Sequence, residues 1–317
     1  MNHHKHDKAT KSPVEKLNIH LPSPIQTLPA KVFDDVSGIE LLIKRDDLIH
    51  PVISGNKWRK LQQVFEGTFA DGHGDHVEKI VSFGGGFSNH LHAVGCACYQ
   101  LNIPFTAMVR GNYADNLTPM LKDLKTWNAD IQWLTKIQYQ QKTDHDWLKQ
   151  TLHDYEKHLV IPEGGSSRQV HFGMQQLVDE LPEELDYLLC PVGSGGTLAG
   201  LIQAMYQRQR KTKVIGIGVL KGQGYLEDLV TELVTEKDAL THQPWHIFHD
   251  YHFGGYGKAD ETLRNYCQHF FEKSNIEIEP VYSGKLMFAI QDLLSKGYFA
   301  ANSTVCALHT GGLQGNR

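Results

Sequence analysis

Past residue 75 the chain alternates short apolar runs with longer stretches whose apolar residues recur every three or four positions. The runs "KIVSF" (79–83), "IPFTAMV" (103–109), "ADIQWL" (129–134), "HLVIPEGG" (158–165), "LDYLLCPV" (185–192) and "KVIGIGV" (213–219) have the length and branched content of buried strands. Helical spacing marks 88–101, 118–127, a stretch from Thr197, and then 226–234, 259–272 and 284–296. Thr118 before Pro119 is a helix start: a hydroxyl can accept from a free N–H there, and proline lacks one. "STVCALHTGG" closes the alternation. Strands alternating with helices predict an α/β protein with two open, twisted, mainly parallel sheets and flanking helices. The change of pattern at "EGGSSRQ" (163–169) is the expected hinge between two lobes.

Composition narrows the partners more than the fold. A chain of 317 residues can bury a sizeable core, and a net charge of -5 gives no electrostatic reason to bind nucleic acid or an anionic membrane. No apolar run approaches the roughly 18 residues of a membrane span. The N-terminal "MNHHKHDKATKSPVEK" is polar throughout, unlike a secretion signal, and its "HHKH" is expected in a disordered tail. Five cysteines, an odd number set in apolar segments, suit buried thiols in a reducing cytoplasm. "HQPWHIFHDYH" spaces His242, His246, His249 and His252 at four, three and three, but Pro244 argues for loop and strand there. No H-E-x-x-H pattern accompanies it, so no metal is expected.

In parallel sheets ligands gather where strand carboxyl ends lead into helix starts. Three glycine-rich turns lie at such junctions: "SFGGGFSNH" (82–90), "PVGSGGTLAG" (191–200) and "LHTGG" (308–312). The second is not a dinucleotide fingerprint, because Leu198 stands where the third glycine belongs, and no G-K-[ST] makes it a Walker loop. Ser194 and Thr197 beside Gly195 and Gly196 suit one terminal phosphate, or else an ordinary βα turn. Ser88 does not sit in a nucleophile elbow, since His90 replaces the last glycine; it serves as well as a helix N-cap. "SGNKWRK" (54–60) holds Lys57 at a helix start, where the dipole repels a cation. Such a position is unfavourable for an ammonium and useful for a neutral amine.

"KRDDL", "SGNKWRKL", "GGFSNH", "VGSGGTLAG", "EPVYSGK" and "HTGG", in this order over residues 40 to 312, resemble the 1-aminocyclopropane-1-carboxylate deaminase and D-cysteine desulfhydrase family. The resemblance implies the fold type II arrangement, with pyridoxal 5'-phosphate in a cleft between two α/β lobes. Residues 1–60 and 166–317 would form the large cofactor-binding domain, and 61–165 the small one. It makes Lys57 the residue that binds the cofactor aldehyde and later moves a proton at the substrate carbon; desolvation near positive dipoles lowers a lysine pKa for that purpose. Asn89 matches the partner of the cofactor's 3-hydroxyl oxygen, and Ser194, Gly195, Gly196 and Thr197 match the phosphate cup. Thr310 matches the hydroxyl that meets the pyridine nitrogen. Ser88 matches a substrate-binding serine, and Tyr282 and Tyr256 match two active-site tyrosines. Lys44, Arg45 and Asp46 are read as structural; Arg59 and Lys60 are expected in solvent or against the other lobe.

Two positions bear on the reaction. The deaminases carry a glutamate where this chain has Ser283, and an apolar residue in place of Thr310. A hydroxyl at the ring nitrogen makes a weaker electron sink than a carboxylate, adequate for expelling thiolate but not for opening a cyclopropane ring. The resemblance therefore implies a cytoplasmic, homodimeric lyase converting D-cysteine to pyruvate, hydrogen sulfide and ammonia. Its only expected partner beyond itself is a small amino acid. D-Serine and a chlorinated alanine are further candidate substrates, and Phe87 departs from the polar residue usual before Ser-Asn. The other readings are a 1-aminocyclopropane-1-carboxylate deaminase forming 2-oxobutanoate and a non-catalytic protein binding a small anion.

Overall fold

The computed structural model describes residues 12–33, 38–69, 77–167 and 170–317. The "HHKH" segment and the last two residues of the 163–169 stretch lie outside them. In chain order the elements begin with α1 (Pro13–Lys16), β1 (Ile25–Thr27), β2 (Glu40–Lys44) and α2 (Asn56–Phe69). There follow β3 (Lys79–Gly85), α3 (Asn89–Leu101), β4 (Phe105–Arg110), α4 (Pro119–Thr126), β5 (Asp130–Leu134), α5 (Lys136–Gln140), α6 (His145–Thr151) and β6 (His158–Ile161). The second half runs α7 (Val170–Asp179), β7 (Tyr187–Val192), α8 (Gly196–Gln207), β8 (Lys213–Gly218), α9 (Tyr225–Leu233), α10 (Asp238–His242) and β9 (Trp245–Phe248). It ends with α11 (Glu261–Ser274), α12 (Ser283–Ser295) and β10 (Thr304–Leu308).

Among the described residues the strands form two sheets. One has the order β1-β2-β10-β7-β8-β9, antiparallel at β1–β2 and parallel elsewhere. The other, β5-β4-β3-β6, is parallel throughout. Successive strand residues face opposite layers, so each strand feeds two cores. In β7, Leu188, Cys190 and Val192 pack with α7, α8 and α9, while Leu189 faces α12. In β3, Ile80 packs with α2, α3 and α4, while Val81 and Phe83 meet Tyr139 of α5 and Leu148 of α6. Helices on both faces explain why these strands read as continuous apolar runs.

The helix starts obey their local chemistry. Ser88 and Thr118 cap α3 and α4 by accepting from Leu91 N and Leu121 N. The predicted bounds hold to within about two residues for β3, β4, β5, β7 and β8, whereas β6 stops at Ile161, ahead of its glycine turn. α2 packs between α3 and α7. The solvent position expected for Arg59 is wrong. Its guanidinium is fully buried, pairing with Asp46 at 3.0 Å and Glu180 at 2.7 Å, and Lys44 reaches the same Glu180 at 2.5 Å. Buried cations persist only when paired, and this network ties the segment after β2 to the end of α7.

Candidate active site

The carboxyl ends of β2, β3, β7 and β10 carry the lysine turn and the three glycine turns. Gly55, at φ +63°, lets the lysine turn lie against the β10 turn; a Cβ there would fall 1.8 Å from the Thr310 carbonyl oxygen. Lys57 is the second residue of α2, and its Nζ donates to Asn56 Oδ1 at 2.8 Å. Asn56 Nδ2 in turn donates to Thr197 Oγ1 at 2.8 Å, joining the lysine turn to the β7–α8 loop. Burial lowers the Lys57 pKa from 10.5 to about 8, against a weaker opposing pull from Glu279. Lys57 and Asn89 line one small cleft with Ser54, Gly312 and Gln314. Asn89 Oδ1 accepts from Gln314 Nε2 at 2.5 Å.

The β7–α8 loop is built for an anion. Gly195 caps α8 at φ +79° without any side-chain cap, so the first helical N–H groups lack a protein acceptor at that end. Lys60, one turn beyond Lys57, is buried, and its Nζ donates to the Gly164 carbonyl at 3.1 Å and to Ser166 Oγ at 3.3 Å. A Cβ on Gly196 would lie 2.6 Å from Ser166 Oγ and 3.3 Å from Lys60 Nζ. Ser166 and Ser194 share a hydrogen bond of 2.7 Å between their hydroxyls. Lys60 is therefore no solvent lysine. Burial, then the neighbouring Lys57 charge, hold its pKa well below the ordinary lysine value.

The opposite wall comes from α12 and the turn before it. Tyr282 OH donates to Tyr256 OH at 3.1 Å, with ring centroids 6.0 Å apart. The Tyr282 ring edge comes within 3.4 Å of where a Gly193 Cβ would sit. Burial raises both phenol pKa values, so at neutral pH each is a protonated donor. Glu279 is buried and accepts from Val281 N, Tyr282 N and Ser283 N at 2.6, 2.8 and 2.8 Å. Burial lifts its pKa to about 7, although the three N–H groups favour the carboxylate. The Ser283 hydroxyl is also committed to Glu279, at 3.2 Å from Oε1. Thr310 is buried, and among the described residues its hydroxyl has no hydrogen-bond partner.

A sequence profile of the pyridoxal-phosphate dependent enzymes matches residues 18–311. The chain belongs to that family. Among curated relatives of this pyridoxal-phosphate dependent enzyme, an Arabidopsis thaliana protein is 28% identical over 93% of this chain and 77% of its own length. It is named a bifunctional, mitochondrial D-cysteine desulfhydrase/1-aminocyclopropane-1-carboxylate deaminase. A Salmonella choleraesuis protein named D-cysteine desulfhydrase is 27% identical over 93% of this chain and 92% of its own. The crystal structure of an ACC deaminase homologue superimposes with a TM-score of 0.78 at 24% identity, covering 96% of each chain. The fold is thus that of the type II pyridoxal-phosphate enzymes.

The residues present fit the cofactor. A phosphate-sized anion matches the uncapped N–H groups, the Ser and Thr hydroxyls and the buried Lys60 amine, in a cradle that a Cβ at Gly196 would fill. Lys57, linked through Asn56 to Thr197, stands beside that cradle with a lowered pKa. Ser88, Asn89, Tyr256, Tyr282 and Thr310 lie on the loops and helix starts around these turns. Sequence reasoning missed Asn56, Lys60, Glu279 and Gln314. Lys60 had a usable signal, its one-turn spacing from Lys57 on the same helix.

The four histidines from 242 to 252 go separate ways. His242 lies against the Asp238 carbonyl at 2.9 Å, His249 pairs with Glu227 at 2.6 Å, His246 meets Phe248 edge-on, and His252 accepts from Gly254 N at 2.9 Å. Cys96, Cys98, Cys190 and Cys306 are buried free thiols, and Cys267 is half-buried. Among the described residues no helix is long and apolar enough to cross a membrane.

Proposed function

We propose that this enzyme is a cytoplasmic lyase that eliminates the β-substituent of a small amino acid, with D-cysteine as substrate and pyruvate, hydrogen sulfide and ammonia as products. Water enters as the second reactant and balances the equation. Bound pyridoxal phosphate supplies an electron sink that acidifies the α-carbon of an attached amino acid. Lys57 would hold the cofactor through its amine, and the same amine, once free, would take the proton from the substrate α-carbon. Lys60, Ser194, Thr197 and the N–H groups of Gly195 and Gly196 would hold the phosphate, and Asn89 would hold the 3-hydroxyl oxygen. Ser88, whose oxygen accepts from Leu91 N at 3.2 Å, keeps its hydrogen for the substrate carboxylate. Tyr282, assisted by Tyr256, gives a proton to the departing sulfur. On this reading residues 1–60 and 166–317 form the cofactor-binding unit and 61–165 the smaller one.

The choice of thiol elimination rests on Thr310. Its hydroxyl is uncommitted beside the lysine turn, whereas Ser283 is tied to Glu279 and Glu279 to three backbone N–H groups. A neutral partner at the ring nitrogen would leave a weaker sink, adequate for thiolate loss but not for ring opening. The name of the Arabidopsis relative, which joins both activities, keeps ring opening of 1-aminocyclopropane-1-carboxylate as the second reading. Initial rates of pyruvate and 2-oxobutanoate formation on the two substrates decide between them. Efficient 2-oxobutanoate release by the wild type overturns the preference.

A further inference from the structure

Tyr256 sits in a loop that does not hold itself. Phe253, Gly254, Gly255 and Gly257 have φ of +50°, +91°, +126° and +67°, a run that L side chains disfavour and that phenylalanine adopts only under constraint. Tyr256 as a whole is 49% exposed, and its ring rests edge-on against Tyr282. The constraint comes from one face of α12. Residues 282, 285 and 288 recur at three-residue spacing and share that face. Tyr282 meets the Tyr256 phenol, and Phe288 packs edge-on against Phe253 with ring centroids 4.9 Å apart. Between them the fully buried Lys285 gives its amine to three carbonyls: Val219 at 3.1 Å, His252 at 2.8 Å and Gly255 at 2.9 Å. An ammonium has three N–H donors, and all three are used. The His252 and Gly255 carbonyls bracket the strained run, so the same cation closes the loop and pins it to the end of β8.

We propose that Lys285 is a positioning residue for the reaction, clamping the 252–257 loop so that the Tyr256 hydroxyl stays on Tyr282. This rests on the proposed role of the two tyrosines in proton delivery. Lys285 touches neither substrate nor cofactor in this scheme; it acts through Tyr256 alone. Its removal frees the loop to relax out of the left-handed region, and a shift of about 1 Å in a proton donor can cost on the order of a hundredfold in rate.

The test is a double-mutant cycle on the holoenzyme, reading kcat on D-cysteine together with cofactor absorbance and melting temperature. Tyr256→Phe should lower kcat by about a hundredfold. Lys285→Met should lower kcat by about tenfold or more while leaving cofactor affinity within about twofold. In the Tyr256→Phe background Lys285→Met should cost nothing further. Should Lys285→Met fail to fold, Phe288→Leu loosens the same loop more gently and should show the same lack of additivity. A wild-type kcat in the Lys285 variant, or the full tenfold loss persisting without the Tyr256 hydroxyl, overturns the proposal. A wild-type kcat in Tyr256→Phe sinks the tyrosine role itself, a separate outcome.

Discussion

Asn56 donates its amide to the hydroxyl of Thr197 at 2.8 Å across 141 residues of chain. A hydroxyl that accepts from an amide has its own hydrogen left to give. Thr197 can therefore point that hydrogen at the phosphate cradle, while Asn56 Oδ1 steadies the Lys57 amine. One side chain thus sets the orientation of both the anchoring amine and the anion site.

Thr197→Ala removes a donor to a charged group and orphans the Asn56 amide. Cofactor binding should weaken by about 1.5–3 kcal/mol, read by equilibrium titration, and Thr197→Ser should recover most of it. An unchanged dissociation constant would mean the loop is an ordinary βα turn.

Lys57→Ala should abolish covalent attachment of the cofactor and turnover, seen as loss of the visible absorbance of lysine-bound cofactor. Lys57 is half-buried, and burial disfavours its charged form, so the apoprotein should melt no lower than wild type. Retained absorbance and turnover would disprove the assignment.

Capture of the cofactor aldehyde by the apoprotein should follow the neutral fraction of Lys57. With the pKa lowered from 10.5 to about 8, the neutral amine grows as pH rises, is half formed near 8 and nearly complete about one pH unit above that. Below that value the rate should increase about tenfold per pH unit and then level off. Stopped-flow absorbance between acid and alkaline limits measures it. A midpoint at the ordinary lysine value would show that the amine is not desolvated.

Glu279→Ala should loosen the start of α12, because three backbone N–H groups lose their acceptor at once. A loss of about 1–3 kcal/mol is expected in urea denaturation. Turnover should fall as well, since Tyr282 is the residue next to the released helix. A fully stable variant would show that water caps this end as well as the carboxylate does.

Much of this architecture is legible along the chain. Apolar runs of five to eight residues mark the strands β3 to β8, because both faces of each are covered by helices. The short β1 and the helices α5 and α6 escape notice, being three, five and seven residues long and too brief to show a period. At the site, Lys57 is visible through its turn, whereas Lys60, expected in solvent or against the other lobe, gives no sign of its partners because residue type argues for solvent. Its acceptors, Gly164 and Ser166, lie 104 and 106 residues away, a separation no local pattern encodes. Arg59 fails for the same reason, since Glu180 is 121 residues distant. Glu279 lies nearer at hand, four residues before Ser283, but its role emerges only once the helix start turns back on it.

The absent methyl group at Gly55 changes how any saturation scan of this enzyme must be interpreted. With only 1.8 Å between a would-be Cβ and the Thr310 carbonyl oxygen, every substitution at Gly55 drives the lysine turn away from the β10 turn. Such variants would score as inactive as those at Lys57, two positions along, though glycine performs no chemistry. Activity alone would merge scaffold and catalyst into one intolerant patch. Abundance of soluble protein separates them: alleles of Gly55 should vanish from the cell, whereas alleles of Lys57 should accumulate, folded and silent.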